Sequence, residues 1–330
     1  MNKLVIIVFL MPVVCFSQSY APPAGQQGTT AIDKDSPLFT SWATGITVER
    51  GFVNIEDTTI EALGSNRATF GDPQNALGTS TGNPSDIVSL GDSGIAILTF
   101  EQPIINGPSF DFAVFENSFS DDYLEFAHVE VSSDGINYVR FPSHSEVQSD
   151  VQIHGFGLTD AQRIYNLAGK YRGGFGTPFD LEEIKDSIDI DVNNITHVKI
   201  IDVIGSVGES GTYDSYGNKI NEPFSTPYES GGFDLEAVGV INQWVNTIEY
   251  EIDSIGFTVY PNPSDGLIKI KTSSVQSCKI VITNSMGQII FQNNYNNQKT
   301  INNIPQLNPG LYTVILSNKF TQKQQFITVK

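Results

Sequence analysis

Short apolar segments separated by turn residues are the feature that most constrains the fold of this chain of 330 residues. Such segments, rich in β-branched and aromatic residues, occupy residues 86–90, 95–100, 110–115, 126–132, 138–141, 196–204 and 233–241. In residues 126–132, Val129 and Val131 alternate with polar side chains, which is the period of a half-buried strand. Turns rich in Gly, Asn, Asp and Pro stand between the segments. The pattern predicts an all-β fold, an antiparallel jelly-roll β-sandwich.

Two segments between the predicted strands carry helix-start signals. Thr159 stands three residues before Gln162, which is the spacing of a capping box, and Gly169 follows as a stop signal. Asp180, three residues before Glu183, caps a second short turn. We therefore expect short helical insertions that decorate the loops at one end of the sandwich.

Charge is distributed unevenly and predicts a domain boundary. The net charge is −19, yet residues 257–330 hold seven Lys against one Asp and no Glu or Arg, a charge of +6. Residues 19–256 hold ten basic and 36 acidic residues, a charge of −26. So acidic a surface repels nucleic acid and anionic membranes, and no nucleic-acid partner is expected. The predicted organisation is a signal peptide (1–18), a ligand-binding domain (19–245), a linker (246–256) and a C-terminal domain (257–330).

The N-terminus has the architecture of a secretory signal peptide. Lys3 precedes an apolar run from Leu4 to Val14, which is too short to span a membrane. Cleavage is expected near Gln18; a lipoprotein signal, the alternative, would use Cys15. No other segment approaches about 18 consecutive apolar residues, so the mature chain is expected to have no transmembrane segment.

The C-terminal region alternates short strands with turns that contain Pro and Gly, which predicts a small antiparallel sandwich. It contains YPNPSDG (260–266), NSMGQII (284–290), LNPGLYTVIL (307–316) and the terminal FITVK. In order and spacing these motifs resemble the type A C-terminal sorting domain of the type IX secretion system. The resemblance implies an Ig-like β-sandwich recognised by the type IX machinery of a Bacteroidota-type bacterium. It further implies secretion or outer-membrane surface attachment, after removal of the signal peptide and the sorting domain; an Ig-like domain with its own role is the alternative.

The middle region offers oxygen ligands for a cation at two strand ends. Asp234 and Glu236 stand two apart on one predicted strand and point to the same face. The strand in DFAVFEN (111–117) ends in Glu116 and Asn117. Ca²⁺ takes six to eight oxygen ligands from such side chains. A solvated strand end, the rim of a binding site or a catalytic carboxylate are the alternatives for Glu116 and Asn117.

Residues 70–100, 129–141 and 231–241 resemble the discoidin-like, galactose-binding-type jelly rolls. That resemblance implies a structural Ca²⁺ between the opening loop, where Asp72 and Asn75 match, and the closing strand, where Glu236 matches. An insertion at 155–195 departs from the family pattern, so the family's ligand site is not transferred. The complete set of predicted calcium ligands is Asp72, Asn75, Glu116, Asn117, Asp234 and Glu236.

Two long loops, residues 170–179 and 211–232, are aromatic and punctuated by Gly and Pro. Long loops in compact domains are usually functional or disordered, and the aromatic content argues against disorder. Aromatic rings with polar tips suit sugar rings and other amphipathic ligands. The predicted ligand-binding residues are Tyr171, Phe175, Tyr213, Tyr216, Phe224 and Tyr228. The alternative is that these rings merely pack the loops onto the sandwich.

The sequence contains no coherent catalytic set. GDSG (91–94) resembles a serine-protease nucleophile loop, but no segment supplies the His base and its orienting Asp. No catalytic residue is therefore predicted, and binding is favoured over catalysis. We expect an exported protein whose calcium-supported jelly roll binds carbohydrate or another extracellular ligand. The alternatives are capture of a bulky nutrient such as a corrinoid, an adhesin, and a polysaccharide-degrading enzyme.

Overall fold

The computed structural model of the protein describes residues 19–244, 256–272, 277–296, 298–318 and 322–330. The predicted signal peptide, and the predicted linker except for Gly256, lie outside these residues. The chain divides into two compact units, Met1–Val245 and Asn246–Lys330.

The first unit is built from short strands. They are β1 (Ile32–Asp33), β2 (Ser41–Trp42), β3 (Gly45–Glu49), β4 (Val88–Ser89), β5 (Ile95–Ile104), β6 (Phe112–Glu116), β7 (Ala127–Ser132), β8 (Val139–Arg140), β9 (His144–Ser145), β10 (Ile164–Tyr165), β11 (Phe175–Phe179), β12 (Ile195–Asp202) and β13 (Asp234–Val240). Three 3₁₀ helices, Pro73–Ala76, Ala161–Arg163 and Leu181–Ile184, complete the regular structure described in this unit.

The strands form two antiparallel sheets and a small ribbon. One sheet has the order β1-β11-β6-β13-β2, with β4 also paired to β13, and the other has the order β3-β5-β12-β7-β8. The ribbon joins β9 to β10. Side chains from both sheets, among them Leu98, Val129, Val198, Phe112 and Val238, share one buried cluster. The predicted all-β sandwich is confirmed.

The central strand β6 is buried on both faces. Phe112 and Val114 belong to the core between the sheets, whereas Ala113 and Phe115 pack with Ala237 in a separate cluster that Phe39 and Trp42 flank. A strand that is covered on both faces has a continuous apolar run in its sequence. Glu116, the last residue of β6, is consequently buried at 1% exposure.

Two sequence expectations about the loops are wrong. In place of the helix predicted after Thr159, Asp160 caps the three-residue 3₁₀ helix, and Ile164 and Tyr165 then pair with Ser145 and His144. Pairing with β9 satisfies the backbone groups that a helix would have used. Asp180 does cap the short helix at Leu181–Ile184, by accepting from the N–H of Glu182.

Residues 170–179, which the sequence predicts as a loop, are the second difference. Their second half is β11, which pairs with β6. Gly176 and Pro178 suggested a break, but Gly176 is required because a Cβ there would stand 2.8 Å from the Phe115 ring. Phe175 is therefore a strand residue rather than a loop residue.

The second unit is a smaller β-sandwich. Its strands are β14 (Phe257–Tyr260), β15 (Lys269–Thr272), β16 (Cys278–Asn284), β17 (Ile289–Tyr295), β18 (Thr300–Ile301), β19 (Gly310–Ser317) and β20 (Gln322–Val329). They form sheets in the orders β14-β15-β18 and β17-β16-β19-β20 around a core that includes Ile270, Ile282 and Val314. Among the residues described in either unit, no helix is long and apolar enough to cross a membrane.

Candidate cation and ligand-binding sites

Buried carboxylates gather where strand ends of both sheets meet. Glu116 ends β6 beside the start of β13 at Asp234, and Asp202 ends β12 opposite the start of β7. We call the following residues the acidic cluster: Asp92, Glu116, Glu125, Asp202, Glu222 and Asp234. Each is at least nine-tenths buried.

Burial raises the pKa of every member, because a charged carboxylate loses its hydration there. It raises the pKa of Asp92 to about 6 and that of Asp234 to about 7. Burial is also the main cause of the strongly raised pKa values of Glu116 and Glu125, with Asp234 as the next cause for each. A bound cation would relieve this mutual repulsion.

Two of the predicted calcium ligands, Glu116 and Asp234, belong to this cluster, and a third, Asn117, contacts it. Asp234 accepts a hydrogen bond of 2.5 Å from the Ser89 hydroxyl and one of 3.2 Å from the Asn117 amide. Glu116 accepts the N–H of Ser118 at 2.8 Å. Both oxygens of Asp234 therefore already accept a hydrogen bond, and the backbone N–H of Asn117 is a further donor to Glu116.

Glu236 lies on β13 near this group. Its Oε1 accepts the N–H of Gly82 at 2.6 Å, while its Oε2 is buried and has no hydrogen-bond partner among the described residues. The Ser80 hydroxyl and the Thr81 N–H are further donors close to this carboxylate. Burial raises the pKa of Glu236, and its charge contributes to the raised pKa of Glu116. Glu236 therefore presents an unpaired oxygen close to the acidic cluster.

The other two predicted ligands lie on the surface. Asp72 caps the first 3₁₀ helix by accepting from the N–H of Gln74, and the Asn75 amide donates to the carbonyl of Ile87. Burial lowers the pKa of Arg50, whereas the negative charges of Asp234 and Asp72 raise it. The guanidinium donates to the carbonyls of Ser89 and Gly71. The positive charge of Arg50 in turn lowers the pKa of Asp234 against the effect of burial.

The sequence analysis missed Asp92, Glu125, Asp202 and Glu222. Three of them accept backbone N–H groups: Asp202 from Phe233 and Ser93, Glu222 from Phe126, and Asp92 from Ile55. Glu125 accepts no hydrogen bond from the part of the chain that the structure describes. Across those same residues, no three Asp, Glu, His or Cys side chains are grouped as a metal site. Calcium binding remains a prediction.

The predicted aromatic ligand residues fall into two groups. Tyr171 and Phe224 are buried at 1% and 8% exposure, and Phe175 lies half-buried beneath the Arg172 guanidinium, 4.7 Å from its ring centre. Tyr213, Tyr216 and Tyr228 are exposed by 51%, 73% and 45%. The rings of the first group are packed against other parts of the protein, whereas those of the second group are exposed to solvent.

Tyr216 belongs to a group of neighbouring rings whose proximity the sequence analysis did not predict. Its ring centre lies 4.6 Å from that of His144, and the His144 Nδ1 shares a hydrogen bond of 2.5 Å with the Tyr20 hydroxyl. The Tyr20 ring stacks on Tyr165 with centres 5.1 Å apart. We call Tyr216, His144, Tyr20 and Tyr165 the aromatic row. A groove of about 670 Å³, lined in part by Tyr20, Gln26, Gln27 and Gln162, lies beside it.

Comparison with known proteins gives one informative match. A family model described as the secretion system C-terminal sorting domain matches residues 258–330. No curated protein sequence matches the chain.

Among solved structures, the chain is similar to a β-glucuronidase from Ruminococcus gnavus in complex with C6-substituted uronic isofagomine. The identity is 8%, the coverage 95% of this chain and 47% of that one, and the TM-score 0.21. It is also similar to the BSP domain of a biofilm associated protein, with 11% identity, coverage of 82% and 53%, and a TM-score of 0.23. The chain thus spans about half the length of these structures, and TM-scores this low bear on neither fold nor function.

The C-terminal unit is therefore identified by its family match and by its β-sandwich fold. Both agree with the motifs at 260–266, 284–290 and 307–316, and the alternative of an Ig-like domain with its own role is set aside. Residues 258–330 are a type IX secretion C-terminal sorting domain, and the chain is a secreted or outer-membrane surface-attached protein.

Proposed function

We propose that the first unit is an extracellular carbohydrate-binding domain that the sorting domain delivers to the outer surface of the cell. The observation that carries this proposal is the exposure of three tyrosines, Tyr213, Tyr216 and Tyr228, from one loop of the sandwich. A solvent-facing tyrosine offers a flat apolar face and a polar tip, which matches the C–H face and the hydroxyl groups of a sugar ring.

The loop that carries these tyrosines is held in place by a buried carboxylate. Asp214 accepts the N–H groups of Tyr216 and Asn218 at 2.8 Å each, and the N–H of Ser145 at 2.9 Å. Because Asp214 is saturated with backbone donors, it positions Tyr216 rather than transferring protons. A glycoside hydrolase needs two carboxylates on either side of the scissile bond. At this loop the contacts of Asp214 therefore support a role in positioning the tyrosines.

We also propose that Ca²⁺ supports the sandwich at the acidic cluster. The ligands proposed are Glu116, Asn117, Asp234 and Glu236 from the sequence prediction, with Glu125 added. Support comes from two features. Among the residues described, the buried Glu236 Oε2 has no hydrogen-bond partner, and Glu125, whose pKa burial raises, lies close enough to Asp234 and Glu116 for their charges to raise it further. Ca²⁺ accepts carboxylate and amide oxygens in a flexible shell, so it would neutralise like charges that burial forces together.

The binding proposal is tested with the chain from residue 19 onward, labelled and applied with Ca²⁺ to an array of glycans. We expect binding to one class of glycan. A variant in which Tyr213, Tyr216 and Tyr228 are all replaced by Ala should lose it and keep its melting temperature. A folded chain that binds no glycan, but binds a corrinoid or cells, would replace the proposal by nutrient capture or adhesion.

A further inference from the structure

We infer that the aromatic row and the amide-lined groove beside it bind a neutral oligosaccharide. This inference rests on the proposed carbohydrate-binding function, and it names the site and the class of sugar.

The rings of the row are held in position by contacts within the protein. The Tyr20 backbone N–H donates to the Gln162 carbonyl at 2.9 Å, which fixes Tyr20 at the edge of the groove. Its hydroxyl is bonded to His144, and its ring stacks on Tyr165, whose hydroxyl donates to Glu183 at 2.9 Å. A ligand that stacks on these rings need not order them first, and preorganised side chains make binding less costly in entropy.

The groove supplies hydrogen-bonding groups that the protein itself leaves unused. The side-chain amides of Gln26, Gln27 and Gln162 make no hydrogen bond with any residue that the structure describes. An amide both donates and accepts, as does each hydroxyl of a sugar. The volume of about 670 Å³ falls within the range of about 300–1,000 Å³ that is typical of small-molecule sites. Stacking faces and free amides therefore adjoin at Tyr20.

The surrounding charge selects against acidic sugars. Residues 19–256 carry ten basic and 36 acidic residues. Close to the row, burial raises the pKa of Tyr20, and the negative charges of Glu146 and Asp214 raise it further. The Glu183 carboxylate accepts a hydrogen bond from the Tyr165 hydroxyl.

Two cations also lie close to the row, and both are engaged by protein acceptors. The buried Lys170 ammonium, 5.9 Å from the Tyr20 ring centre, donates to the Ile164 carbonyl at 2.8 Å. The exposed Arg163 guanidinium lies 4.0 Å from an Asp160 carboxylate oxygen and donates to the Glu146 carbonyl. Because a negative field disfavours carboxylated or sulfated glycans, the site fits a neutral sugar.

The test titrates the chain from residue 19 onward with neutral β-linked hexasaccharides of glucose, xylose and mannose, and with hexagalacturonate as the charged counterpart. We expect one neutral hexasaccharide to bind, and Tyr216→Ala and Gln162→Ala each to weaken that binding by roughly five- to tenfold. Phe119→Ala is the matched control, since this exposed aromatic side chain of the first unit contacts Tyr123 instead of the row. It should change the affinity less than twofold.

The outcomes separate the two levels of the proposal. If a neutral hexasaccharide binds, but Tyr216→Ala and Gln162→Ala weaken that binding no more than Phe119→Ala does, the site is wrong and the carbohydrate function stands. If hexagalacturonate binds as tightly as the neutral sugars, the sugar class is wrong. If the folded chain binds no glycan, the proposed function fails together with this inference.

Discussion

Removing divalent cations should make the stability of the first unit fall as the pH rises from 5 to 8. Burial raises the pKa of Asp234 from 3.8 to about 7. Between these two values the folded chain holds a proton on Asp234 that the unfolded chain has released. The unfolded state therefore binds fewer protons, and the free energy of unfolding decreases as the pH rises through this window.

The size of the effect follows from the shift in pKa. A difference of about three units corresponds to about 4 kcal/mol, lost progressively between about pH 4 and pH 7. Asp92, whose pKa burial raises to about 6, contributes in the same direction. Bound Ca²⁺ would hold the carboxylates in their ionised form, so with calcium the stability should persist at pH 8.

The assay is a set of thermal melts of the chain from pH 5 to pH 8, in excess Ca²⁺ and in chelator. We expect the melting temperature to fall with rising pH in chelator and to stay level in calcium. Asp234→Asn should raise the melting temperature at pH 8 in chelator, because it removes a buried charge, and it should reduce the response to calcium. Ser89→Ala is a suitable control, since it removes a hydrogen bond of Asp234 and keeps the carboxylate. Superimposable pH profiles with and without Ca²⁺ would refute the calcium proposal.

Three further perturbations test other parts of the account. Lys170→Met should raise the melting temperature at pH 7, because burial lowers the pKa of Lys170 to about 8 and a neutral side chain avoids that penalty; a lower value in thermal melts would contradict this. Phe112→Ala should cost about 3–5 kcal/mol in chemical denaturation, because Phe112 is fully buried and stacks on Phe179 with ring centres 5.3 Å apart; a loss below about 1 kcal/mol would show that the core is not packed as described. A chain truncated after Gln243 lacks the sorting domain and should accumulate in the periplasm in cell fractionation, whereas normal surface display would contradict the sorting role.

Local sequence patterns predict most of the strands, because the alternation of side chains and the position of turns are local properties. The predicted segments at 95–100, 110–115, 126–132, 196–204 and 233–241 correspond to β5, β6, β7, β12 and β13. The failures occur where a tertiary contact overrides a local signal. Gly176 and Pro178 look like strand breakers, yet β11 is stabilised by pairing with β6.

The candidate sites were harder to predict, because their residues are distant in the sequence. Tyr20, His144, Tyr165 and Tyr216 meet only after the ribbon of β9 and β10 has formed. Likewise, a carboxylate at a strand end looks the same in the sequence whether solvent or another sheet covers it. Glu116 is recognisable because its apolar strand ends abruptly, and Asp234 because it stands two residues before Glu236 on one strand. Asp202 lies inside the apolar segment 196–204, and Glu222 lies in a long loop, so neither has a comparable signal.

The central claim, that the first unit binds carbohydrate, is tested most directly by thermal-shift measurements of the chain in Ca²⁺. The ligands are neutral oligosaccharides, acidic oligosaccharides and corrinoids. A ligand present at about 100 times its dissociation constant adds about 2.7 kcal/mol to the free energy of unfolding, which a melt resolves easily. We predict that a neutral oligosaccharide raises the melting temperature. A shift with a corrinoid alone, or no shift with any of these ligands, would contradict the claim.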